Sequence, residues 1–120
     1  MHPRPTQQTL FLSLETELTE ESLLRHTGPI DETLRSTPLD FRLLIDASQM
    51  TGYTSEARNA FVEWHRSHKA RFARVAIVTD RKLWHMVIRA MGMASGQPMH
   101  PFTDRASAES WLLESTADTA

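Results

Sequence analysis

Residues 41–46 read Phe-Arg-Leu-Leu-Ile-Asp, a short and mostly apolar run that ends at a carboxylate. Residues 75–78 read Val-Ala-Ile-Val, a run that is rich in β-branched residues and ends at Thr79. Runs of this length and composition favour strands that are covered on both faces, as in the middle of a parallel sheet. We therefore predict that these two segments are neighbouring central strands.

Two further segments have the pattern of edge strands. Residues 9–15 alternate strictly, with leucines on one face, which is typical of a strand with one covered face. Residues 99–103 contain Pro101, which cannot donate a hydrogen bond to a neighbouring strand. We predict that both segments lie at the outer edges of the sheet.

Helical patterns separate these strands. Apolar residues at three-and-four spacing after Thr19 predict a helix that Gly28-Pro29 should bend or break. A second helix begins at Ser55, a third lies between the last two strands, and a last one follows Asp104. The resulting order, β-α-β-α-β-α-β-α, predicts an α/β fold with an about four-stranded, mostly parallel sheet and right-handed crossovers.

Length and composition limit the function classes. The 120 residues suit one domain, and we expect a flexible segment at 1–7, a single domain at 8–114 and a flexible tail at 115–120. A net charge of -2 gives no general attraction to nucleic acid. The absence of cysteine excludes disulfides, cysteine zinc sites and a thiol nucleophile. No apolar run has the length of a membrane span or signal core, so we expect a cytoplasmic protein without membrane insertion.

Polar residues follow both predicted central strands. Because parallel strands end at the same edge of a sheet, and α/β folds bind ligands there, we expect these residues to form one rim for a ligand or partner. The rim residues are Asp46, Ser48, Thr51, Tyr53, Thr54, Ser55, Asp80, Arg81 and Lys82. Backbone N–H groups beside Arg81 and Lys82 could bind a phosphate or carboxylate by donating hydrogen bonds to it. The negative charge of Asp80 disfavours a bound anion, and a Thr-Asp pair before a helix is more often a helix cap.

The third predicted helix, residues 82–95, has more apolar surface than one sheet contact needs. Its apolar residues span an arc of about 220° on a helical wheel. Three interpretations stay open: the arc is buried within one subunit, it forms a dimer surface, or its methionines line a groove for an apolar ligand. The residues assigned to an apolar interaction surface are Trp84, Met86, Val87, Ile88 and Met91.

Two other features have weaker functional interpretations. His65 and His68 lie three residues apart and could share a metal, but a further ligand is needed. His68 lies on the apolar face of the second predicted helix, where a core or capping role is favoured, so no metal is predicted. Residues 64–103 contain seven basic residues and one acidic residue, a net charge of +6. This segment shows no stacking platform or reader helix, so solvated surface is favoured over nucleic-acid binding, and an acidic protein partner would use the same patch.

Several of these segments occur together in a known order. They are Leu-Leu-Ile-Asp-Ala-Ser-Gln-Met-Thr-Gly-Tyr at 43–53, the helix with Trp64, Arg-Val-Ala-Ile-Val-Thr at 74–79, Leu83-Trp84, Phe102, Ala108 and Trp111-Leu112. In this order and spacing the chain, over about residues 8 to 113, resembles the SpoIIAA-like branch of the STAS (sulfate transporter and anti-sigma-factor antagonist) superfamily. The resemblance implies a right-handed βα superhelix that docks partner proteins or, in some branches, holds small or lipophilic ligands, without catalysis.

The resemblance also indicates a position for phosphorylation. Anti-sigma-antagonist members carry a phosphorylatable serine at the start of the helix after the Asp-x-Ser loop. The nearest positions here are Thr54, Ser55 and Glu56, and the Asp-Ser-Ser-Gly signature of those members is absent. We favour a helix cap at Thr54 or Ser55.

We predict a non-enzymatic STAS-like interaction or regulatory module that forms a homodimer or binds a protein partner through the third helix and the rim. The alternative is a carrier or sensor of a small lipophilic or phosphorylated ligand at the rim. A hydrolase built from Ser48, His65 and Asp46 can be drawn, but the chain has no Gly-x-Ser-x-Gly nucleophile elbow. No cofactor is predicted.

Overall fold

The computed structural model describes residues 8–114, and the segments 1–7 and 115–120, for which flexibility is predicted, lie outside the described residues. The strands are β1 (Gln8–Leu18), β2 (Phe41–Tyr53), β3 (Phe72–Val78) and β4 (His100–Phe102). The helices are α1 (Glu20–Ser36), α2 (Ser55–His68), α3 (Lys82–Ser95) and α4 (Arg105–Leu113), and a 3-10 turn, Lys69–Arg71, joins α2 to β3. Across this part of the chain, no helix combines the length and apolarity needed to cross a bilayer.

The sheet has the predicted architecture. Its strand order is β1-β2-β3-β4 and every pair is parallel, so β2 and β3 are the central strands and β1 and β4 the edges, as predicted. Leu43 and Val75 face a core that includes side chains of α1, α2 and α3. Leu44 and Ala76 face the opposite way and pack against α4. The prediction that the central strands are covered on both faces is therefore confirmed.

The two halves of the sheet differ in length. β3 pairs with β2 only as far as Asp46, whereas β1 continues beside β2 until Leu18 lies opposite Tyr53. Beyond Asp46 the two strands form a two-stranded ribbon, in which β2 twice contributes one extra residue and Thr16 of β1 has a φ of 56°. Such bulges bend and twist a strand pair. The sequence pattern predicted that β2 ends at Asp46; this was wrong, because pairing with β1 continues through the bulges.

Helix α1 continues through Pro29, so the predicted break at Gly28-Pro29 was wrong. The buried residues Leu23, Thr27, Ile30 and Leu34 lie on one face on both sides of the proline. Burial of this face outweighs the missing hydrogen bond of Pro29. Gly28 has no Cβ, which relieves the usual clash between a proline ring and the preceding side chain.

One arginine secures the end of α1. The guanidinium of Arg71 donates to the carbonyl of Leu34 at 2.8 Å, to that of Thr37 at 2.5 Å and to that of Leu39 at 2.6 Å. The last carbonyls of a helix have no partner within the helix, and these bonds supply donors for one of them and for the following turn. Arg71 is therefore engaged in holding the connection between α1 and β2.

Helix α3 ends in close contact with the chain that follows it. Gly96 has a φ of 90°, and the N–H groups of Gly96 and Gln97 donate back to Met93 and Gly92, which is the Schellman arrangement. A Cβ on Gly92 would lie 2.6 Å from the backbone N of Met99. The absence of a side chain at Gly92 lets the helix approach the segment that leads into β4.

We expect Gly92→Ala to lower the free energy of unfolding by about 1–3 kcal/mol, because the backbone at Met99 must move to admit the methyl group. Gly52→Ala is the matched control, since a Cβ at Gly52 meets nothing within 4 Å. Urea unfolding followed by circular dichroism measures both changes. Equal stability of Gly92→Ala and the wild type would contradict the close contact.

Candidate functional site

The nine rim residues do not form one loop cluster. Asp46, Ser48, Thr51 and Tyr53 lie along β2, Thr54 is the N-cap of α2 and Ser55 is its first residue. Asp46, in the middle of β2, pairs with Val78, the last residue of β3. It therefore lies beside the segment that begins at Thr79. Tyr53 lies seven residues further along the ribbon. Its ring nevertheless contacts the ring of Trp84, with centroids 5.6 Å apart, which shows that the ribbon reaches α3.

Asp46, Ser48 and Thr54 have local hydrogen-bond partners. The carboxylate of Asp46 accepts a hydrogen bond from the Ser48 backbone N–H at 3.0 Å and another from the Ser48 hydroxyl at 2.6 Å. The hydroxyl of Thr54 accepts from the Ala57 N–H at 3.0 Å and so caps α2. The hydrolase drawn from Ser48, Asp46 and His65 is not assembled, because His65 bonds to other residues.

The polar loop after β3 is also locally bonded. Thr79 is buried, and its hydroxyl accepts from the Arg81 N–H at 3.2 Å. The guanidinium of Arg81 lies over the Trp84 ring, 4.7 Å from its centroid. Asp80 and Lys82 are exposed. Arg81 therefore stabilises the start of α3 by a cation–π contact and does not point toward an anion site.

A small apolar cleft lies where the ribbon meets α2 and α3. Only apolar atoms line it, its volume is about 60 Å³, and it is partly open to solvent. Its walls are formed by Leu14, Leu18, Ile45, Ala47, Met50, Tyr53, Arg58, Phe61, Ile77, Trp84, Val87, Ile88 and Met91. A water molecule needs about 10–15 Å³ by this kind of measure, so the cleft has room for a few atoms of an apolar group.

The residues of helix α3 lie in three different environments. Ile88, Gly92 and Ser95 are buried. Trp84, Val87 and Met91 are half-buried and face the cleft. Four exposed apolar residues form a row at three-and-four spacing on the solvent side, here called the α3 stripe: Leu83, Met86, Ala90 and Met93. Ala94 is also exposed, and its carbonyl accepts a hydrogen bond from Arg66.

The α3 stripe is strongly exposed. Leu83 is 78%, Met86 71% and Met93 83% accessible to solvent. Three large apolar side chains in one row on one helix are unusual on a surface with no contact to make, whereas single exposed leucines are common. Of the five residues assigned to an interaction surface from the sequence, the structure places Met86 on this stripe, three beside the cleft and Ile88 in the core.

His65 forms a buried chain of hydrogen bonds. Its Nδ1 lies 2.7 Å from the Ser95 hydroxyl and its Nε2 lies 2.7 Å from Oε1 of Gln97. The amide of Gln97 donates in turn to the carbonyl of Phe72 at 2.6 Å. A neutral ring with its proton on Nε2 satisfies every member, since the Ser95 hydroxyl then donates to Nδ1. The chain links α2, the end of α3 and β3.

Burial lowers the pKa of His65 below its ordinary value of 6.5, and the positive charge of Lys69 adds to this, while the hydrogen bond to Gln97 acts in the other direction. Ser95 is fully buried and so is closed to a substrate. The Ser-His-Gln arrangement is therefore a structural link between elements.

His68 does not share a site with His65. His68 is half-buried, with Nδ1 3.0 Å from the carbonyl of Trp64 and Nε2 3.5 Å from the carboxylate of Asp31. Because His65 points into its own hydrogen-bond chain, the two imidazoles have different partners. Within residues 8–114 no group of three or more His, Asp or Glu side chains comes close enough to hold a metal ion.

Much of the predicted basic segment is engaged in internal contacts. Arg66 donates to Glu63 and to the carbonyl of Ala94, and Arg74 donates to the carbonyl of Trp111. Arg71 and Arg81 have the roles given above. Lys69, Lys82 and Arg89 are exposed.

Comparison with known proteins identifies the family. The family model described as SpoIIAA-like matches residues 9–113, nearly the whole described chain. The chain belongs to the SpoIIAA-like family. This confirms the resemblance inferred from the sequence. SpoIIAA-like STAS domains are generally non-enzymatic.

A solved structure shows the same fold. An uncharacterised protein of the DUF3478 family from Shewanella loihica PV-4, whose crystal structure is described as having a SpoIIAA-like fold, superposes with a TM-score of 0.70 at 22% identity. The match covers 85% of this chain and 82% of that chain. At this identity the likeness supports the fold alone. No curated protein matches the chain in sequence.

Sequence reasoning missed two parts of this region. The ribbon residues Leu18 and Met50 and the helix residue Arg58 line the cleft, but bulges hide the strand period that would have revealed the ribbon. Leu83 and Met93 were part of the apolar arc without being assigned to the interaction surface. The two sides of α3 could not be separated from the sequence, because Gly92, which has no apolar side chain, lies on the buried side.

We expect the burial of His65 to make stability pH-dependent. The unfolded chain binds a proton below about pH 6.5 more readily than the native chain, so this contribution to the free energy of unfolding is complete above pH 6.5 and is lost as the pH falls below it. In His65→Gln the decrease between pH 7.5 and pH 5 should be less steep than in the wild type, as measured by urea unfolding at each pH.

Ser95→Ala is the control for this experiment, since it removes a hydrogen-bond partner but leaves the imidazole buried and should keep the pH dependence. The pKa of His100 is also lowered, by partial burial and by the positive charges of Arg89 and Arg74. Because His100 is present in every variant, the difference between the wild type and His65→Gln reports the effect of His65 alone on the pH dependence of stability. Parallel pH profiles of wild type and His65→Gln would contradict the expectation.

Proposed function

We propose that this SpoIIAA-like chain is a non-enzymatic protein-interaction module that self-associates through the α3 stripe. The observation that carries the proposal is the exposure of Leu83, Met86 and Met93 in a single row. SpoIIAA-like domains often interact with proteins, which supports an interaction role. Covering this row removes apolar area from water, and that provides the free energy for docking.

Two of the rim residues border this surface. Lys82 begins α3 and Arg81 packs on Trp84, so both lie at the amino end of the stripe. Asp46 and Ser48 satisfy one another and have no catalytic arrangement around them. The cytoplasm is the proposed location, since the chain has no cysteine that would need an oxidising compartment.

Met86→Asp tests the proposal. A carboxylate buried without a partner in the contact costs several kcal/mol, so we expect the dissociation constant to rise at least about 100-fold. Light-scattering chromatography over a range of concentrations should show a mass above that of the monomer for the wild type and a monomer for Met86→Asp, with unchanged circular dichroism.

Leu24→Asp is the matched control, because Leu24 lies on α1 and is itself 59% exposed. It should behave as the wild type does. A wild type that is monomeric at every concentration, or a Met86→Asp variant with the wild-type mass, would contradict self-association through α3.

A second function is favoured by the cleft. Its wholly apolar lining suits the alkyl or aromatic end of a lipophilic molecule, and the engagement of Arg81 by Trp84 speaks against a phosphorylated one. Native mass spectrometry of protein purified from its own host should then show a bound apolar molecule, and Val87→Trp, which fills the cleft from its half-buried margin, should abolish it. Protein that is consistently free of ligand would rule out this carrier function.

A further inference from the structure

The apolar cleft has a charged residue in its wall. Among the described residues that line it, Arg58, the fourth residue of α2, alone carries a charge. Because only apolar atoms form the lining, the methylene stem of Arg58 belongs to the wall and its guanidinium lies outside it. Long basic side chains often cover apolar surface in this way while the charged group stays in water. A cation therefore borders the opening of the cleft.

The guanidinium of Arg58 is not engaged by the protein. Arg58 is exposed, and within residues 8–114 its side chain forms no hydrogen bond or ion pair. Arg66, the other arginine of α2, differs in this respect, since it donates to Glu63 and to the carbonyl of Ala94. The guanidinium of Arg58 is therefore available to an anion at the opening of the cleft.

The other lining side chains with an O–H or N–H group are uncharged. They are Tyr53 and Trp84, whose rings contact each other. Neither side chain forms a hydrogen bond within the part of the chain that the structure describes. A phenol O–H and an indole N–H can both donate, so these groups suit the same kind of ligand atom as Arg58 does. Together the lining residues favour a negatively charged acceptor that is joined to an apolar chain.

We propose that the cleft binds a monocarboxylate with a short apolar chain, whose carboxylate pairs with the guanidinium of Arg58 while its chain occupies the cleft. The proposal rests on the second function proposed above and adds the chemical class of the ligand. A guanidinium binds a carboxylate through two parallel hydrogen bonds. A phosphate would bring a second negative charge, for which Arg81 is not free because it packs on Trp84.

The volume of the cleft sets the length of the chain. About 60 Å³ holds roughly four to six groups of the size of a water molecule, at about 10–15 Å³ each, so a chain of about four to six carbon atoms fills it. Each buried methylene group raises the affinity about four-fold. The affinity should therefore rise steeply from acetate to hexanoate and level off for longer carboxylates.

Titration of the ¹⁵N-labelled protein with hexanoate, followed by nuclear magnetic resonance, tests the proposal. The indole N–H signal of Trp84 should shift, while those of Trp64 and Trp111, which do not line the cleft, should not. In Arg58→Gln the dissociation constant of hexanoate should rise about five-fold. Binding of 1-hexanol, which has the same chain without the charge, should stay within two-fold. Arg25→Gln is the matched control, because Arg25 is an exposed arginine of α1 that does not line the cleft.

Each other result has a distinct meaning. If neither hexanoate nor 1-hexanol shifts the Trp84 signal, this proposal and the second function both fail. If both compounds bind equally well to the wild type and to Arg58→Gln, the cleft takes apolar molecules without selecting a carboxylate, and only this proposal fails. An equal loss of hexanoate binding in Arg25→Gln, or equal shifts with acetate, would show general attraction of anions and would also overturn it.

Discussion

The structure depends on the unequal lengths of its parallel strands. β2 has 13 residues and β3 has 7, so the carboxyl half of β2 finds its backbone partners only in β1. A two-stranded ribbon buries little surface by itself and is marginally stable in water. Its inner face, with Leu18 and Met50, is buried because Phe61 of α2 and Trp84 of α3 lie across from it. The cleft is the place where this cover is incomplete.

The same constraint explains the composition of α3. A helix that packs on a sheet with one face needs a single apolar stripe. Here α3 has the sheet on one side through Ile88, the ribbon on a second side through Trp84 and Val87, and solvent on the third. The two buried sides account for four of the nine apolar residues of the arc, Trp84, Val87, Ile88 and Met91. The third side has no such explanation within one subunit, and this is why the proposed function is placed there.

The sequence was sufficient where a feature depends on neighbouring residues. The central strands followed from short β-branched runs, and the caps at Thr19, Thr54 and Asp104 from their hydroxyl or carboxylate positions. The sequence was insufficient where contacts between residues far apart in the chain determine the local structure. The bulges that prolong β2 exist because β1 lies beside it, and Pro29 stays within α1 because Ile30 and its neighbours are buried.

The candidate site shows the same limit. A helical wheel placed His68 on the buried face of α2, whereas the structure buries His65, whose partners Ser95 and Gln97 lie about thirty residues away. A small rotation of the helix about its axis changes which imidazole faces inward, and only the tertiary contacts fix that rotation. The rim was expected at one edge because the extension of β2 could not be foreseen. The apolar surplus of α3, by contrast, was visible in composition alone.

The bonds of Arg71 carry a consequence for the order in which the molecule is made. Its three carbonyl acceptors, on Leu34, Thr37 and Leu39, precede it by more than thirty residues. On the ribosome, the turn after α1 stays hydrated until α2 and the arginine behind it have left the exit tunnel. The connection that ends the first βα unit is thus completed by a residue that is synthesised only after β2 and α2.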